Sequence, residues 1–267
     1  MDIMNHLGRG RFADADDLLA FISIYDDERR TRAYRRMIRT ESAKIKNAIC
    51  VDAGCGLGLF SADMARSGAR HVYAVEANRS LYELARTRLQ RFANVTVIHE
   101  DIAQFKPRQT VDVLVHEFFG QLLYDEDLLS LRRLRFKPGV FLPDRAMLMA
   151  GVSAARRFVD KNVTQEVLQR LNGVLVSGLF EDRHLSFTIP LLTWTPRRYV
   201  TRAVCDLRAM PGDLLYMGLQ VFHQNTLICQ TGRCENWSAV WTPRTGDRFR
   251  LDFMPAGRGM DVSFAWC

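Results

Sequence analysis

The sequence predicts an α/β protein: a doubly wound, parallel-sheet domain followed by a smaller, mainly antiparallel β domain. Three observations predict it. Short apolar runs ending in acids alternate with helical periodicities between residues 48 and 116. A glycine-rich turn, Gly54-Cys55-Gly56-Leu57-Gly58, joins the first such run to the next helix. After about Lys137 the texture changes to short β runs punctuated by Pro138-Gly139, Pro143, Pro211-Gly212 and Thr245-Gly246-Asp247. Strand–helix alternation covers both faces of a parallel sheet, and this is the Rossmann-like arrangement. Short strands at regular turn spacing read as antiparallel, barrel-like β structure.

Residues 1–47 form an N-terminal helical segment. Leu18, Leu19, Phe21, Ile22 and Ile24 make one apolar cluster, and Tyr34, Met37, Ile38 and Ile45 recur at helical spacing. Asp16, Asp26 and Asp27 are candidate caps. The Rossmann-like domain is placed at 48–144. Residues 48–52, 71–76, 95–99 and 111–116 read as its strands, and 59–67 and 79–91 as helices, with Gly68 a plausible C-cap. Leu81, Leu84, Ala85 and Leu89 are expected on one buried helical face. The β-rich domain is placed at 145–267. Residues 146–152, 184–192, 199–207, 215–223, 226–230, 248–254 and 260–266 read as strands, and 160–172 as one helix.

Composition is that of a folded globular chain: 267 residues, 48% hydrophobic and 25% charged. No apolar stretch reaches the roughly 20 residues of a membrane span, and Met1–Asp17 lacks a secretory apolar run, so a cytoplasmic protein is expected. The six cysteines show no metal or redox spacing and are expected as reduced structural thiols. Net charge is +7, with basic concentrations at 29–39 and 132–137. No aromatic-interleaved RNA-binding motif accompanies them, so they read as solvated surface rather than a nucleic-acid site.

The glycine turn alone fits any nucleotide-type cofactor. Two acids narrow the choice. Glu76 ends the second strand, eighteen residues after Gly58, where a carboxylate accepts ribose hydroxyls. Asp52 stands at the mouth of the turn, where its charge opposes a pyrophosphate and suits a cationic amino-acid moiety. S-adenosylmethionine (SAM) carries an ammonium and a sulfonium and no phosphate, so the order acid–Gly–x–Gly–x–Gly favours SAM over NAD. At the end of the third strand, Glu100 and Asp101 are candidates for the adenine amino group, with a turn or cap role as the alternative. Asp101 is the expected cofactor residue of the two.

The stretch Val111–Gly120 leads into Leu123-Tyr124-Asp125-Glu126-Asp127-Leu128-Leu129, and resembles the double-glutamate loop of the protein arginine methyltransferases. Glu117 and Glu126 are nine residues apart, as in that family. Asp27-Glu28-Arg29-Arg30-Thr31-Arg32-Ala33-Tyr34-Arg35 resembles the family's segment before its first strand. Leu134–Gly139 and Phe141-Leu142-Pro143 resemble the stretch that opens its β domain. The resemblance implies a SAM-dependent methyltransferase acting on the guanidino group of arginine, in a protein, a peptide or the free amino acid. It implies Glu117 and Glu126 as catalytic residues and Arg30 as the ligand of the SAM carboxylate. Asp52, Gly54, Gly56 and Gly58 would line the methionine half, and Glu76 with Ala77 would meet the ribose. The chemistry agrees: two carboxylates can grip a planar, multiply donating guanidinium through charge-assisted bonds.

Three departures bear on the substrate. The family's N-terminal Tyr-Phe-x-x-Tyr signature is absent, Phe21 and Tyr25 being the nearest aromatics. Its Thr-His-Trp loop has Glu235-Asn236-Trp237 as counterpart, which makes Asn236 and Trp237 the candidate pocket residues and leaves no proton-shuttling histidine there. A helical dimerisation insertion has room only at 160–180, with Val163, Val167, Leu168 and Leu171 as its apolar face, so a homodimer rests on that short stretch. Two further readings stand beside the first: methylation of another small-molecule acceptor, and a catalytically silent SAM-binding subunit.

Overall fold

The computed structural model describes residues 9–158, 164–178, 185–256 and 259–267. The chain forms two compact units, one running through Glu117 and taking in Leu134–Leu142, the other comprising Phe118–Arg133 and Pro143–Cys267.

The first unit opens with three helices: α1 (Arg9–Asp26), α2 (Glu28–Thr40) and α3 (Ser42–Ile45). The break after α1 has a local cause, since the Asp27 carboxylate accepts the Arg30 N–H at 2.9 Å and caps α2. Arg30, Tyr34, Met37 and Ile38 fall on one face of α2 and are buried. Arg29, Arg32, Arg36 and Arg39 face solvent, which accounts for the basic run.

The sheet follows, alternating with two helices: β1 (Ile49–Ala53), α4 (Leu59–Arg66), β2 (His71–Glu76), α5 (Arg79–Leu89), β3 (Val95–His99), β4 (Val113–His116) and β5 (Val140–Leu142). Its order is β3-β2-β1-β4-β5, all parallel. Both β1 and β4 are buried along their whole length, as strands covered on two faces must be. Gly68 takes φ 85° just past α4, the left-handed end that its sequence position predicts. On α5, Leu81, Ala85 and Leu89 are buried, whereas Leu84 is exposed and so falls outside the expected apolar face. Strand order reverses between β1 and β4, and such a switch point is where open α/β sheets bind ligands, at the carboxyl ends of the strands.

The second unit is mainly antiparallel. It contains β6 (Arg145–Ser153), α6 (Gln165–Gln169), β7 (Val176–Ser177), β8 (Ile189–Trp194), β9 (Arg202–Asp206), β10 (Leu214–His223), β11 (Thr226–Gln230), β12 (Val240–Pro243), β13 (Arg248–Ala256) and β14 (Gly259–Trp266). One sheet runs β7-β12-β10-β6-β8 with β11 on β10, and a second runs β14-β13-β9. Trp241, Tyr216, Leu214, Leu168 and Ala155 form a core cluster there. Of the expected 160–172 helix, residues 160–163 lie outside the described residues and α6 covers only part of the remainder.

Phe118–Arg133 groups with the second unit rather than with the parallel sheet. The reason is local packing: Tyr124 meets Phe253 edge-on at 5.3 Å and its carbonyl accepts the Met260 N–H at 3.0 Å. The expectation of reduced cysteines is also corrected. Cys229 and Cys234 are joined as a disulfide with Cα atoms 6.2 Å apart, because β11 ends in a turn that folds one back onto the other.

Candidate active site

In the first unit the candidate residues gather where β1 ends. The glycine turn is left-handed at Gly54, Gly56 and Gly58, with φ values of 66°, 52° and 75°. At Gly56 a glycine is required twice over, since a Cβ there would also come within 2.8 Å of the Tyr25 hydroxyl and 3.1 Å of the Phe21 ring. The turn is tied to β2 through the Cys55 N–H, which donates to the Val75 carbonyl at 2.9 Å. Glu76 braces it further: Oε2 accepts the Gly56 N–H and Oε1 accepts the Asn78 N–H, both at 2.8 Å. Ala77 follows Glu76, its carbonyl 3.1 Å from His99 Nε2.

Asp52 is buried and accepts the Ser61 hydroxyl at 2.6 Å. Burial pushes its carboxyl up to about 6, against the lowering effect of the Ser61 bonds. A buried acid of this kind is a natural partner for an ammonium group. Asp101 behaves as a turn residue, its Oδ1 accepting the Ala103 N–H at 2.8 Å.

Phe21 and Tyr25 supply what the missing aromatic signature left open. They stand one helical turn apart on α1 and pack on the glycine turn, and the Tyr25 hydroxyl accepts the Leu57 N–H at 3.0 Å. Their i, i+4 spacing was the available sequence signal.

Glu117 directly follows β4, whose His116 is in register with Ala53 of β1, so Glu117 and Gly54 leave the same sheet edge on adjacent strands. Arg30 lies against it: Nη1 donates to Glu117 Oε2 at 2.9 Å, and Nη2 donates to the Ile24 carbonyl at 2.9 Å. Glu117 Oε1 is buried and has no hydrogen-bond partner among the described residues. Burial drives the Glu117 carboxyl up to about 7, with Arg30 opposing and Asp27 adding to the rise. Arg30, expected as a cofactor ligand, is thus first of all the partner of the expected catalytic acid.

In the second unit, Glu126 is exposed at the start of a 3-10 turn, Asp127–Arg132. The loop that presents it is tightly specified. Leu123 is fully buried at φ 78°, a conformation that costs a branched residue, and its N–H donates to the Gly120 carbonyl at 2.9 Å. A Cβ on Gly120 would collide with the Asp125 carboxylate. Trp237 is buried, and its indole N–H donates to the Phe119 carbonyl at 3.1 Å, which fixes it to the segment that carries Glu126. Asn236 beside it is half-buried.

The glycine turn at the switch point, Asp52 near the end of β1, Glu76 at the end of β2 and Glu117 after β4 all lie in one stretch of the chain. Residues 50–134 match the family model described as Methyltransferase domain. Over about half of its length the chain is similar in sequence to curated protein arginine N-methyltransferases. Probable protein arginine N-methyltransferase 6.1 of Oryza sativa subsp. indica is 36% identical over 143 residues, 49% of this chain and 37% of that protein. Protein arginine N-methyltransferase 1.1 of Arabidopsis thaliana is 36% identical over 128 residues, 45% of this chain and 33% of that one. The matches thus span little more than a third of those relatives' length. The Trypanosoma brucei PRMT1 enzyme–prozyme heterotetrameric complex with AdoHcy has the same fold, at a TM-score of 0.71 and 17% identity over 91% of both chains. Among the described residues no helix is long and apolar enough to cross a membrane.

Proposed function

We propose that this chain is a SAM-dependent N-methyltransferase that modifies the guanidino group of arginine. The observation that carries the reading is Glu117 itself: at the switch point, it already binds a guanidinium, that of Arg30, through one oxygen and keeps the second buried and open to another N–H donor. A group able to hold one guanidinium in a desolvated place suits a second. The names of the relatives support the same acceptor.

SAM, when bound, supplies an electrophilic methyl on sulfonium sulfur. The residues present fit it: Asp52 for its ammonium, the glycine turn under Phe21 and Tyr25 for close backbone approach, and the Glu76 carboxylate at the end of β2 for ribose hydroxyls. Arg30, anchored by Glu117 and Ile24, is the cation for its carboxylate, and Ala77 and Asp101 complete the expected nucleoside contacts. Glu117 and Glu126 would hold the acceptor guanidinium and concentrate electron density on one nitrogen, so that orientation and electrostatics supply most of the rate. Trp237 and Asn236 are assigned to the acceptor pocket. Protein, peptide or free arginine, a cytoplasmic location and a homodimer belong to this same proposal.

The test is transfer of labelled methyl from SAM to free arginine and to an arginine-rich peptide, with the products weighed by mass spectrometry. Glu117→Gln and Glu126→Gln should each lower turnover by about 10²-fold or more. Full activity in both variants removes the guanidine assignment. Asn236 at the family's histidine position favours one alternative, a different small acceptor, which turnover confined to non-guanidino compounds would establish.

A further inference from the structure

The methyltransferase reading leaves the cysteines without a role. Cys229 lies in β11 and Cys234 five residues on, both buried. Their Cα separation of 6.2 Å is within the span of a disulfide. The turn between them stands without sulfur chemistry: the N–H groups of Arg233 and Cys234 both donate to the Gln230 carbonyl at 3.0 Å. Thr231 docks the turn on β10, its N–H donating to the Leu219 carbonyl at 2.9 Å and its Oγ1 accepting the Leu219 N–H at 2.8 Å. Gly232 turns the chain at φ 82°. The two sulfurs are therefore brought face to face by a fold that both redox states can share.

Trp237 N–H reaches the Cys234 carbonyl only at 3.4 Å. Yet Trp237 is the residue whose indole holds the Phe119 carbonyl, with its ring edge-on to Phe119 at 6.4 Å. Whatever fixes Cys234 thus fixes the entry to Trp237. The other cysteines lack this arrangement. Cys50, Cys55, Cys205 and Cys267 are unpaired. Burial pushes the Cys50 thiol up to about 12 and raises those of Cys55 and Cys205, and none of these three is paired with a second sulfur. A bond closing so short a loop contributes less to stability than one closing a long loop, and disulfides of reducing compartments are mostly transient and sensory.

We infer that Cys229 and Cys234 form a reversible dithiol–disulfide switch that sets the position of Trp237. In the forward direction one thiolate attacks a peroxide oxygen, giving a sulfenic acid and, after protonation of the leaving hydroxide, water. The second thiolate then displaces the sulfenic oxygen as hydroxide, which leaves as a second water once protonated, and the S–S bond forms. The two sulfurs together lose two electrons to hydrogen peroxide. A dithiol reductant returns two electrons and two protons. The consequence for acceptor binding rests on the assignment of Trp237 to the acceptor pocket; the redox chemistry does not.

The experiment uses the full chain, reduced with dithiothreitol or oxidised with hydrogen peroxide. Intact mass should fall by two hydrogens on oxidation, and peptide mapping should link Cys229 to Cys234. Tryptophan emission should differ between the two forms in the parent protein and coincide in Trp237→Phe. The acceptor KM should differ by about threefold or more between forms. Cys229→Ser/Cys234→Ser should hold the reduced values under both treatments; if it fails to fold, Cys229→Ala alone serves. Identical emission in both forms, or failure of the pair to link, overturns the switch. If no arginine acceptor is turned over, mass and emission still decide it, and only the methyl-transfer reading is lost.

Discussion

Arg30 Nη1 and Glu117 Oε2 are 2.9 Å apart across 87 residues of sequence, with side-chain exposures of 6% and 15%. The pairing is close, yet Glu117 still titrates near 7, because burial outweighs the attraction of Arg30. The acid is therefore poised at neutral pH rather than locked in its charged form.

A pH dependence follows. Glu117 must be ionised to accept a guanidinium, so kcat/KM should rise with pH through a midpoint near 7. Arg30→Met removes the attraction that lowers this value and should move the midpoint upward. A limb near the ordinary carboxylate value of about 4.3, unmoved by Arg30→Met, contradicts the assignment.

Asp52 yields a linkage test. Its carboxyl titrates near 6 in the folded protein, against about 3.9 when unfolded. Between those values the native state binds more protons, so stability falls as pH rises from about 4 to 6 and stays lower above. Asp52→Asn keeps an acceptor for the Ser61 hydroxyl and should flatten that slope in denaturant titrations. The same change should weaken SAM binding by about tenfold or more, through loss of a charge-assisted bond. SAM binding to the parent should release a proton near pH 6, which calorimetry in buffers of different ionisation enthalpy would detect. A flattened slope with unchanged SAM affinity would separate Asp52 from the donor.

Tyr34 tests the core of α2. Its ring is fully buried and stacks on Phe60 at 5.3 Å, and its hydroxyl has no hydrogen-bond partner among the described residues. Tyr34→Phe removes a buried polar atom without removing a bond, so thermal stability should hold or rise, by about 1 kcal/mol at most. A clear drop in melting temperature would reveal a partner for the hydroxyl.

The parallel sheet was legible because its signals are local: apolar runs closed by Asp52 and Glu76, and glycines at positions that demand left-handed backbone. The grouping of Tyr124 and Glu126 with the β-rich unit was not legible, because it depends on Tyr124 meeting Phe253 more than 120 residues away. Periodicity placed Leu84 on the buried face, where it lies one residue too early for the stripe that Leu81, Ala85 and Leu89 make. Phe21 and Tyr25 match no fixed motif, although their spacing puts them on one side of a helix. The Cys229–Cys234 pair escaped because five-residue spacing has no meaning until a turn folds it.

The loop of Gly120 and Leu123 sets a boundary for anyone wishing to retarget this protein. A backbone that forbids a side chain at one position and bends a buried leucine the unfavourable way three residues later tolerates neither insertion nor exchange. Libraries aimed at a new acceptor are better spent on the solvent-facing positions Glu235 and Arg233, where the chain is free to vary while the acidic loop stays as it is.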